Sequence, residues 1–356
     1  MIKPVQTILG STEDEKFTAN TFLSYLRRSN DHWWEENPKG VESPWIFRGH
    51  RNANWPLVSS AARPMKYNPL KDMAQLFEPR MHKFDHWKQA SEGQKNQALL
   101  SMASYTLTAR FLSLASELNF PLKSDFVPDE EWTLHSQFEE YSGGSTAIEA
   151  YWYDSSPRFL SIEDRALAQH HGIPTFLLDW TENPIIALYF AAANSKYEQE
   201  KHDICVWALS ASKLKKANSI GIGTNSGGIN ILRPQKSNNR FLSSQSGVFT
   251  YLQGAGQQWA KTGECPTIDG ILEEYTLDKA ISKMKEWNHD SQSQQNYTNG
   301  LTNLLSTEQN FLKKIILKKE HVEELRTLLM REGITKAHLM PTLDNVAKTV
   351  ISFYRE

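Results

Sequence analysis

The stretch AQHHGIPTFLLDWTENPIIALYFAA, residues 168–192, contains the clearest change of pattern in the chain. A helix is predicted to end at Gly172, and an apolar strand is predicted over residues 175–178. Residues 179–181 are then expected on a turn, before a helix over residues 183–193 whose first turn holds a proline. Polar side chains that follow a strand in this way are typical of a binding or catalytic site.

The polar and aromatic side chains of this stretch have both structural and functional interpretations. Asp179 and Thr181 are each suited to cap the following helix, because their oxygens accept free backbone N–H groups. Trp180 suits either stacking on a ligand ring or packing in the core. His170 lies near a helix end, where a histidine is more often structural. Tyr189 and its neighbour Phe190 point in different directions on the helix, so at most one of them faces a pocket.

A second polar strand end is predicted further towards the N-terminus, in the sequence FRGH at residues 47–50. Residues 45–47 form a short apolar strand that stops at Gly49, a residue that permits the close approach of another backbone or of a ligand. Arg48 is costly to bury unless it meets a carboxylate or a phosphate. It is therefore expected either in a buried ion pair, with Asp179 as a candidate, or in contact with a nucleotide.

A third segment, residues 240–249, combines a polar turn with the start of an apolar strand. Gln245 stands just before that strand. An ordinary loop explains this segment about as well as a functional site does.

Between the first two segments, residues 66–160 differ from the rest of the chain because helical spacing of apolar residues dominates and β-branched residues are few. We interpret this region as a helical insertion. Further strands are predicted over residues 203–209, 247–252 and 311–317. Strands separated by mixed segments favour an α+β fold with a mixed sheet.

The composition bounds the class of protein. The chain has 356 residues, of which 39% are apolar and 11% aromatic, with a net charge of −2. These values are typical of a soluble globular protein, and no apolar run is long enough to cross a bilayer. The first seventeen residues also lack the apolar region and the cleavage site of a signal peptide, so we expect a cytoplasmic protein with no membrane partner. Two cysteines predict neither a disulfide framework nor a zinc site, and motifs of P-loop ATPases, serine hydrolases and zinc proteases are absent from the sequence.

Together these segments resemble the FRG domain, a family named for the Phe-Arg-Gly at residues 47–49. The similar pieces are FRGH at 47–50 with WPL at 55–57 and Arg63, the central stretch at 169–191, the stretch 240–249, and GITKAHLMPTLDNVAK at 333–348. The resemblance implies an FRG domain built from residues 1–65 and 161–356, with residues 66–160 as the insertion.

The order of these segments is also similar to that of ADP-ribosyltransferases, which implies a related fold and NAD as a substrate. By that resemblance Arg48 and Gly49 bind NAD on a first strand. The turn and helix with Trp180, Thr181 and Tyr189 lie beside the nicotinamide.

The implied catalytic residues are Asp179, His170 and Gln245. ADP-ribosyltransferases carry a glutamate where Gln245 stands, and a glutamine cannot supply its charge. Asp179 is the best candidate to replace it.

Three functions follow as alternatives. The first is an NAD-dependent ADP-ribosyltransferase that acts as a toxin or phage-defence effector, with RNA as an implied acceptor and a neutralising antitoxin as an implied partner. The second is a non-catalytic module that binds a nucleotide or nucleic acid in the same cleft. The third is a protein-interaction domain whose helical insertion is the binding face.

Overall fold

A seven-stranded mixed sheet forms the centre of the protein in the computed structural model, so the α+β prediction is confirmed. The strand order is β1-β7-β4-β2-β3-β6-β5. The strands β1 and β7 pair in parallel, whereas all the other neighbours pair antiparallel. The structure describes residues 5–10, 15–35, 39–40, 43–63, 69–82, 85–120, 122, 160–193, 202–219, 228–234, 243–252, 255–273, 292, 295, 299 and 310–352.

The strands are short, as is usual in a mixed sheet. Their bounds are β1 Val5–Ile8, β2 Trp45–His50, β3 Leu178–Thr181, β4 Ile204–Ser210, β5 Ile229–Leu232, β6 Gly247–Leu252 and β7 Leu312–Leu317. The helices are α1 Ala19–Leu26, α2 Pro69–Met81, α3 Asp85–Gln89, α4 Glu92–Glu117, α5 Ile162–His170, α6 Pro184–Ala192, α7 Ala211–Ser219, α8 Ala255–Thr262, α9 Ile268–Glu273, α10 Val322–Arg331, α11 Lys336–Leu339 and α12 Leu343–Ser352.

The sheet buries a hydrophobic cluster on each face, because side chains alternate along its strands. Phe47 of β2 packs with α1, α6 and α10 on one face, whereas Ile46 packs with α7 and α9 on the other. A third cluster joins α2 and α4 to Trp259 of α8. The described part of the segment 66–160 is helical, and residues 121 and 123–159 lie outside the described residues.

The strands β2 and β3 are neighbours in the sheet, but they separate almost at once. β2 pairs with β4 through six residues, whereas it pairs with β3 through Phe47 and Thr181 alone. Beyond that pair the sheet opens, and backbone groups that a continuous sheet would bond are left for other partners. Arg48 and Asp179 face each other across this opening.

One strand is displaced from its predicted position. We expected the strand at residues 175–178 and a turn at 179–181, but β3 covers Leu178–Thr181. The physical reason is that the backbone before Leu178 bonds outside the sheet. Ser104 of α4 donates to the Pro174 carbonyl oxygen, and the Thr175 backbone exchanges hydrogen bonds with the Ser60 hydroxyl.

The helix cap was also assigned wrongly. Neither Asp179 nor Thr181 caps α6. The cap is Asn183, whose Oδ1 accepts from the backbone N–H of Ile185 at 3.0 Å.

Candidate functional site

A cavity of about 220 Å³ lies at the opening between β2 and β3. Its walls come from β2, α5, β3, α6, β6 with the turn before it, and the segment after α11. The lining residues are Phe47, Arg48, Gly49, Ala166, Gln169, His170, Asp179, Trp180, Thr181, Ala187, Phe190, Gln245, Gly247, Phe249 and Met340. The structure therefore brings together residues from all the segments that the sequence singled out, including the C-terminal one.

The centre of this cavity is an ion pair between Arg48 and Asp179. The Arg48 Nη1 lies 2.8 Å from Oδ1 of Asp179 and also donates to the Asp179 backbone oxygen at 2.6 Å. The Arg48 side chain is only 9% exposed, whereas the Asp179 side chain is 61% exposed because it faces the cavity. The buried ion pair that the sequence suggested as one of two alternatives is therefore present.

Arg48 is fixed from its other side by His50. The Nε of Arg48 donates to Nε2 of His50 at 3.0 Å. Nε2 of His50 accepts this bond, and Nδ1 lies 3.3 Å from both the Trp55 carbonyl oxygen and the indole nitrogen of Trp207. His50 is 4% exposed, and this burial, together with the charges of Arg48 and Arg63, lowers its pKa to about 3.

The charges around the cavity favour an anion. The cavity walls remove part of the water around the Asp179 carboxyl and would by themselves raise its pKa, but the charge and hydrogen bond of Arg48, with the charge of Arg63, hold that pKa below its ordinary value. Burial and the charge of Arg48 lower the pKa of the Arg63 guanidinium to about 10, so it remains charged at neutral pH. Two guanidinium groups against one carboxylate leave a net positive charge.

The buried neutral His50 predicts a loss of stability in mild acid. Its pKa is lower in the folded protein than the ordinary 6.5, so below pH 6.5 the unfolded chain binds the proton more tightly. Stability is therefore complete above pH 6.5 and falls as the pH drops towards 3. Between pH 7 and 4.5 we expect His50 alone to remove about 2–3 kcal/mol from the free energy of unfolding, measured by urea denaturation.

The control for this prediction is His50→Gln, which keeps an acceptor for Arg48 but does not titrate. The half-buried His32 titrates in the same direction in both proteins, since burial lowers its pKa to about 4. We expect His50→Gln to lose less stability than the wild type over this pH range. Equal losses in the two proteins would contradict the assignment.

Gln169 is a site residue that the sequence analysis missed, although it lay in the quoted central stretch. Its Nε2 donates to Oδ1 of Asp179 at 3.3 Å, and its Oε1 accepts from the Thr175 hydroxyl. No motif distinguishes this glutamine. It is a neighbour of Asp179 because α5 turns back into β3 within a few residues.

His170 lines the cavity from the end of α5, as the sequence led us to expect of a site residue. Its ring lies edge-on to His171, with ring centres 5.3 Å apart. Burial and the neighbouring His171 lower the pKa of His170, so its imidazole is neutral at pH 7. A neutral imidazole in a cavity is suited to accept a proton.

Trp180 and Thr181 border the cavity, but the polar groups of their side chains form hydrogen bonds with other protein groups. The Trp180 indole is 4% exposed, packs in the same core cluster as Ile46, and donates from Nε1 to the Thr250 hydroxyl. The Thr181 hydroxyl donates to the Gln245 backbone oxygen at 2.6 Å. Because alternation along β3 turns the indole into the core, its predicted contact with a cofactor is not supported by its position.

One further cofactor-binding prediction needs correction. Tyr189 does not line this cavity and packs in the cluster of α1 and α10, because its neighbour Phe190 takes the direction that faces the cavity.

Gly49 lines the cavity and also lies against α6. A Cβ atom at this position would lie 1.9 Å from the Ala187 carbonyl oxygen and 2.6 Å from the Ala191 nitrogen. Gly49 is therefore needed for the close approach of α6, whether or not a ligand also contacts it.

Gln245 is on the turn before β6, where the sequence placed it, and it lines the cavity. Its Nε2 donates to the Leu339 carbonyl oxygen at 3.1 Å, and the Ser244 hydroxyl donates to the same oxygen at 3.0 Å. These two bonds hold the C-terminal segment against the turn, so that Met340 reaches the cavity.

Comparison with known proteins gives one match. A family model described as the FRG domain matches residues 114–200. The chain contains an FRG domain. Neither a curated protein nor a solved structure matches the chain.

The range matched by the FRG-domain model includes α5, β3 and α6, and with them Gln169, His170 and Asp179. It begins inside the segment 66–160, and residues 121, 123–159 and 194–200 of it lie outside the described residues. The Phe-Arg-Gly at residues 47–49 precedes the matched range. In space it joins that range through the ion pair of Arg48 and Asp179.

In the part of the chain that the structure describes, no helix combines the length and the apolar character needed to span a membrane.

Proposed function

We propose that this FRG-domain protein is an NAD-dependent ADP-ribosyltransferase and that the cavity between β2 and β3 binds NAD. One observation supports the proposal above all: three suitable groups line the same cavity. They are the buried guanidinium of Arg48, the cavity-facing carboxylate of Asp179 and the neutral imidazole of His170. The order of the segments, which resembles that of ADP-ribosyltransferases, supports the same function.

The free donors of Arg48 support the binding of a phosphate. Its Nε bonds to His50 and its Nη1 to Asp179, and among the described residues no hydrogen-bond partner is found for Nη2. The two N–H groups of Nη2 are thus available to an anion without breaking the ion pair. Arg63 adds a second positive charge nearby.

The size of the cavity limits what enters it. About 220 Å³ is below the volume of roughly 300–1,000 Å³ typical of drug-sized ligands, so the cavity suits one part of a dinucleotide. Phe47, Phe190 and Met340 give it apolar walls beside the charged centre. A phosphate with its attached ribose, or the nicotinamide end of NAD, fits this combination of charged and apolar side chains.

The proposed reaction breaks the bond between C1′ of the ribose and the nicotinamide nitrogen, whose electron pair leaves with nicotinamide. Asp179 stabilises the positive charge that develops on the ribose. The acceptor nucleophile bonds to C1′ and gives its proton to His170, which is neutral at pH 7. An RNA acceptor, a role as toxin or defence effector, and a neutralising antitoxin belong to the same proposal.

A second candidate function is favoured by Gln245. Its amide is engaged with the Leu339 carbonyl, and the turn that carries it supplies no carboxylate to the cavity. Asp179 is itself paired with Arg48. A module that binds a nucleotide or nucleic acid without turnover needs only the anion site, which this arrangement retains.

Incubation of the protein with labelled NAD and separate pools of RNA, DNA and protein tests the proposal and identifies the acceptor. We expect label to appear on one pool with stoichiometric release of nicotinamide. Nucleic-acid binding without any response to NAD would favour the binding module instead.

Gln245→Glu introduces the glutamate that ADP-ribosyltransferases carry at the corresponding place. We expect it to retain or raise turnover, because it restores a negative charge beside the ribose. The change also removes the donor to Leu339, so Gln245→Met, which loses the donor without gaining charge, is the matched control. Turnover should be about tenfold or more higher in the Glu variant than in the Met variant. Equal turnover would show that the charge at this position has no role.

A further inference from the structure

A chain of hydrogen bonds reaches Asp179 from the side opposite Arg48. The backbone N–H of Leu177 donates to the Thr175 hydroxyl at 3.2 Å. That hydroxyl donates to Oε1 of Gln169, whose Nε2 donates to Oδ1 of Asp179 at 3.3 Å. Because the ionised Asp179 carboxylate can only accept, the Gln169 amide presents Nε2 to it and Oε1 to the Thr175 hydroxyl, which therefore donates.

This direction settles the orientation of the Gln169 amide. A flipped amide would place its oxygen against the Asp179 carboxylate, which is a repulsive contact between two acceptors. It would also force the Thr175 hydroxyl to turn its proton away and accept instead of donate. The amide is therefore held as a donor towards Asp179 by a residue that does not itself touch the cavity.

Thr175 is held in place by burial and by hydrogen bonds of its backbone. It is 1% exposed, its backbone N–H donates to the Ser60 hydroxyl, and that hydroxyl donates back to the Thr175 carbonyl oxygen. The Ser60 segment follows β2, the strand that carries Arg48. Side-chain and backbone contacts thus form a ring from β2 through Ser60, Thr175, Gln169 and Asp179 back to Arg48.

We propose that Gln169, oriented by Thr175, is a positioning residue. It keeps the Asp179 carboxylate in place when an anionic ligand also binds the Arg48 guanidinium. Both Arg48 and Gln169 donate to the same oxygen, Oδ1. When a phosphate shares the Arg48 guanidinium, the bond from Gln169 remains. The importance of this role for turnover rests on the proposed ADP-ribosyl transfer, whereas the hydrogen-bond chain does not depend on it.

Carboxyl nuclear magnetic resonance of Asp179, titrated against pH, tests the positioning without an activity assay. Gln169→Met keeps the length of the side chain but removes the donor, so we expect the pKa of Asp179 to rise by about one pH unit. Arg48, Arg63, His50 and His170, the neighbouring charged or titratable groups, are the same in the variant. An unchanged Asp179 titration in a folded Gln169→Met protein would overturn the inference.

A second pair of variants changes Thr175, the residue that orients the Gln169 amide. Thr175→Val removes the hydroxyl at nearly constant volume, and Thr175→Ser restores it. We expect the Val variant to raise the Asp179 pKa and the Ser variant to return it to the wild-type value. A purely structural role would lower the melting temperature of the Val variant and leave the Asp179 titration unchanged, which would also overturn the inference.

Kinetics then connect the positioning to turnover. In Gln169→Met we expect nicotinamide release to slow about tenfold while the dissociation constant of NAD changes less than about twofold, because Gln169 orients Asp179 and does not hold the phosphate. A loss confined to NAD affinity would contradict the positioning role. If the wild type releases no nicotinamide, the proposed function fails, but the Asp179 titrations still decide the inference.

Discussion

Gly49→Ala should destabilise the protein by about 3 kcal/mol or more, the largest effect that we expect of any single substitution on stability. The added methyl group would lie 1.9 Å from the Ala187 oxygen and 2.6 Å from the Ala191 nitrogen. Both atoms belong to the backbone of α6, so no change of rotamer relieves the overlap. α6 would have to move away from β2, and the core that it forms with α1 and α10 would open. Urea denaturation at pH 7 measures the effect.

Gly172→Ala is the matched control. Gly172 has a φ of +95° with no heavy atom within 4 Å of the added methyl group, so only backbone strain opposes the substitution. We expect it to cost about 1–2 kcal/mol. If Gly49→Ala were as stable as the wild type and instead lost only ligand affinity, Gly49 would be a ligand contact, as the resemblance implied, and not a packing residue.

Arg48→Ala should weaken NAD binding about 100-fold, the largest effect that we expect on affinity. The substitution removes the Nη2 donors proposed for the phosphate and leaves the charges of Arg63 and Asp179 to cancel, so the cavity loses its net positive charge. It also leaves Nε2 of His50 without its donor and Asp179 without its ion-pair partner, so a loss of about 1–3 kcal/mol in stability should accompany it. Calorimetry with NAD on the folded variant separates affinity from stability.

Two variants separate charge from geometry at this position. Arg48→Lys keeps the charge but cannot bond His50, Asp179 and a phosphate from one planar group, so we expect an intermediate affinity. Asp179→Asn keeps β3 and the helix cap at Asn183, and should bind NAD at least as tightly because the cavity gains positive charge. Its turnover should fall if the carboxylate is catalytic. Equal affinity of wild type and Arg48→Ala would exclude Arg48 from the ligand site.

Much of the fold could be predicted where one periodic pattern dominated. The apolar run of β4 and the proline-led helix α6 were found nearly to the residue, since burial on both sides leaves few polar positions to confuse the pattern. The ion pair of Arg48 and Asp179 was also foreseen as one of two alternatives. An arginine inside a strand has few ways to be satisfied, so the carboxylate could be inferred.

The features that could not be predicted from the sequence depend on contacts between distant segments. The strand β3 begins late because Ser60 and Ser104 take the backbone groups of residues 174–175, which no local pattern reveals. Tyr189 and Phe190 are equivalent in sequence terms, and only the rotation of α6 decides which faces the cavity. Likewise, no local pattern shows that the Gln245 amide bonds to Leu339, nearly a hundred residues later.

The release of nicotinamide from NAD, followed over time with the wild-type protein and each acceptor pool, tests the proposed transfer reaction. Asp179→Asn, with its NAD affinity checked by calorimetry, is the matched variant. We expect the wild type to release nicotinamide with one acceptor pool, and Asp179→Asn to reduce this release at least about tenfold at undiminished NAD affinity. The proposal fails if the wild type releases no nicotinamide with any acceptor although NAD or nucleic acid binds in the cavity.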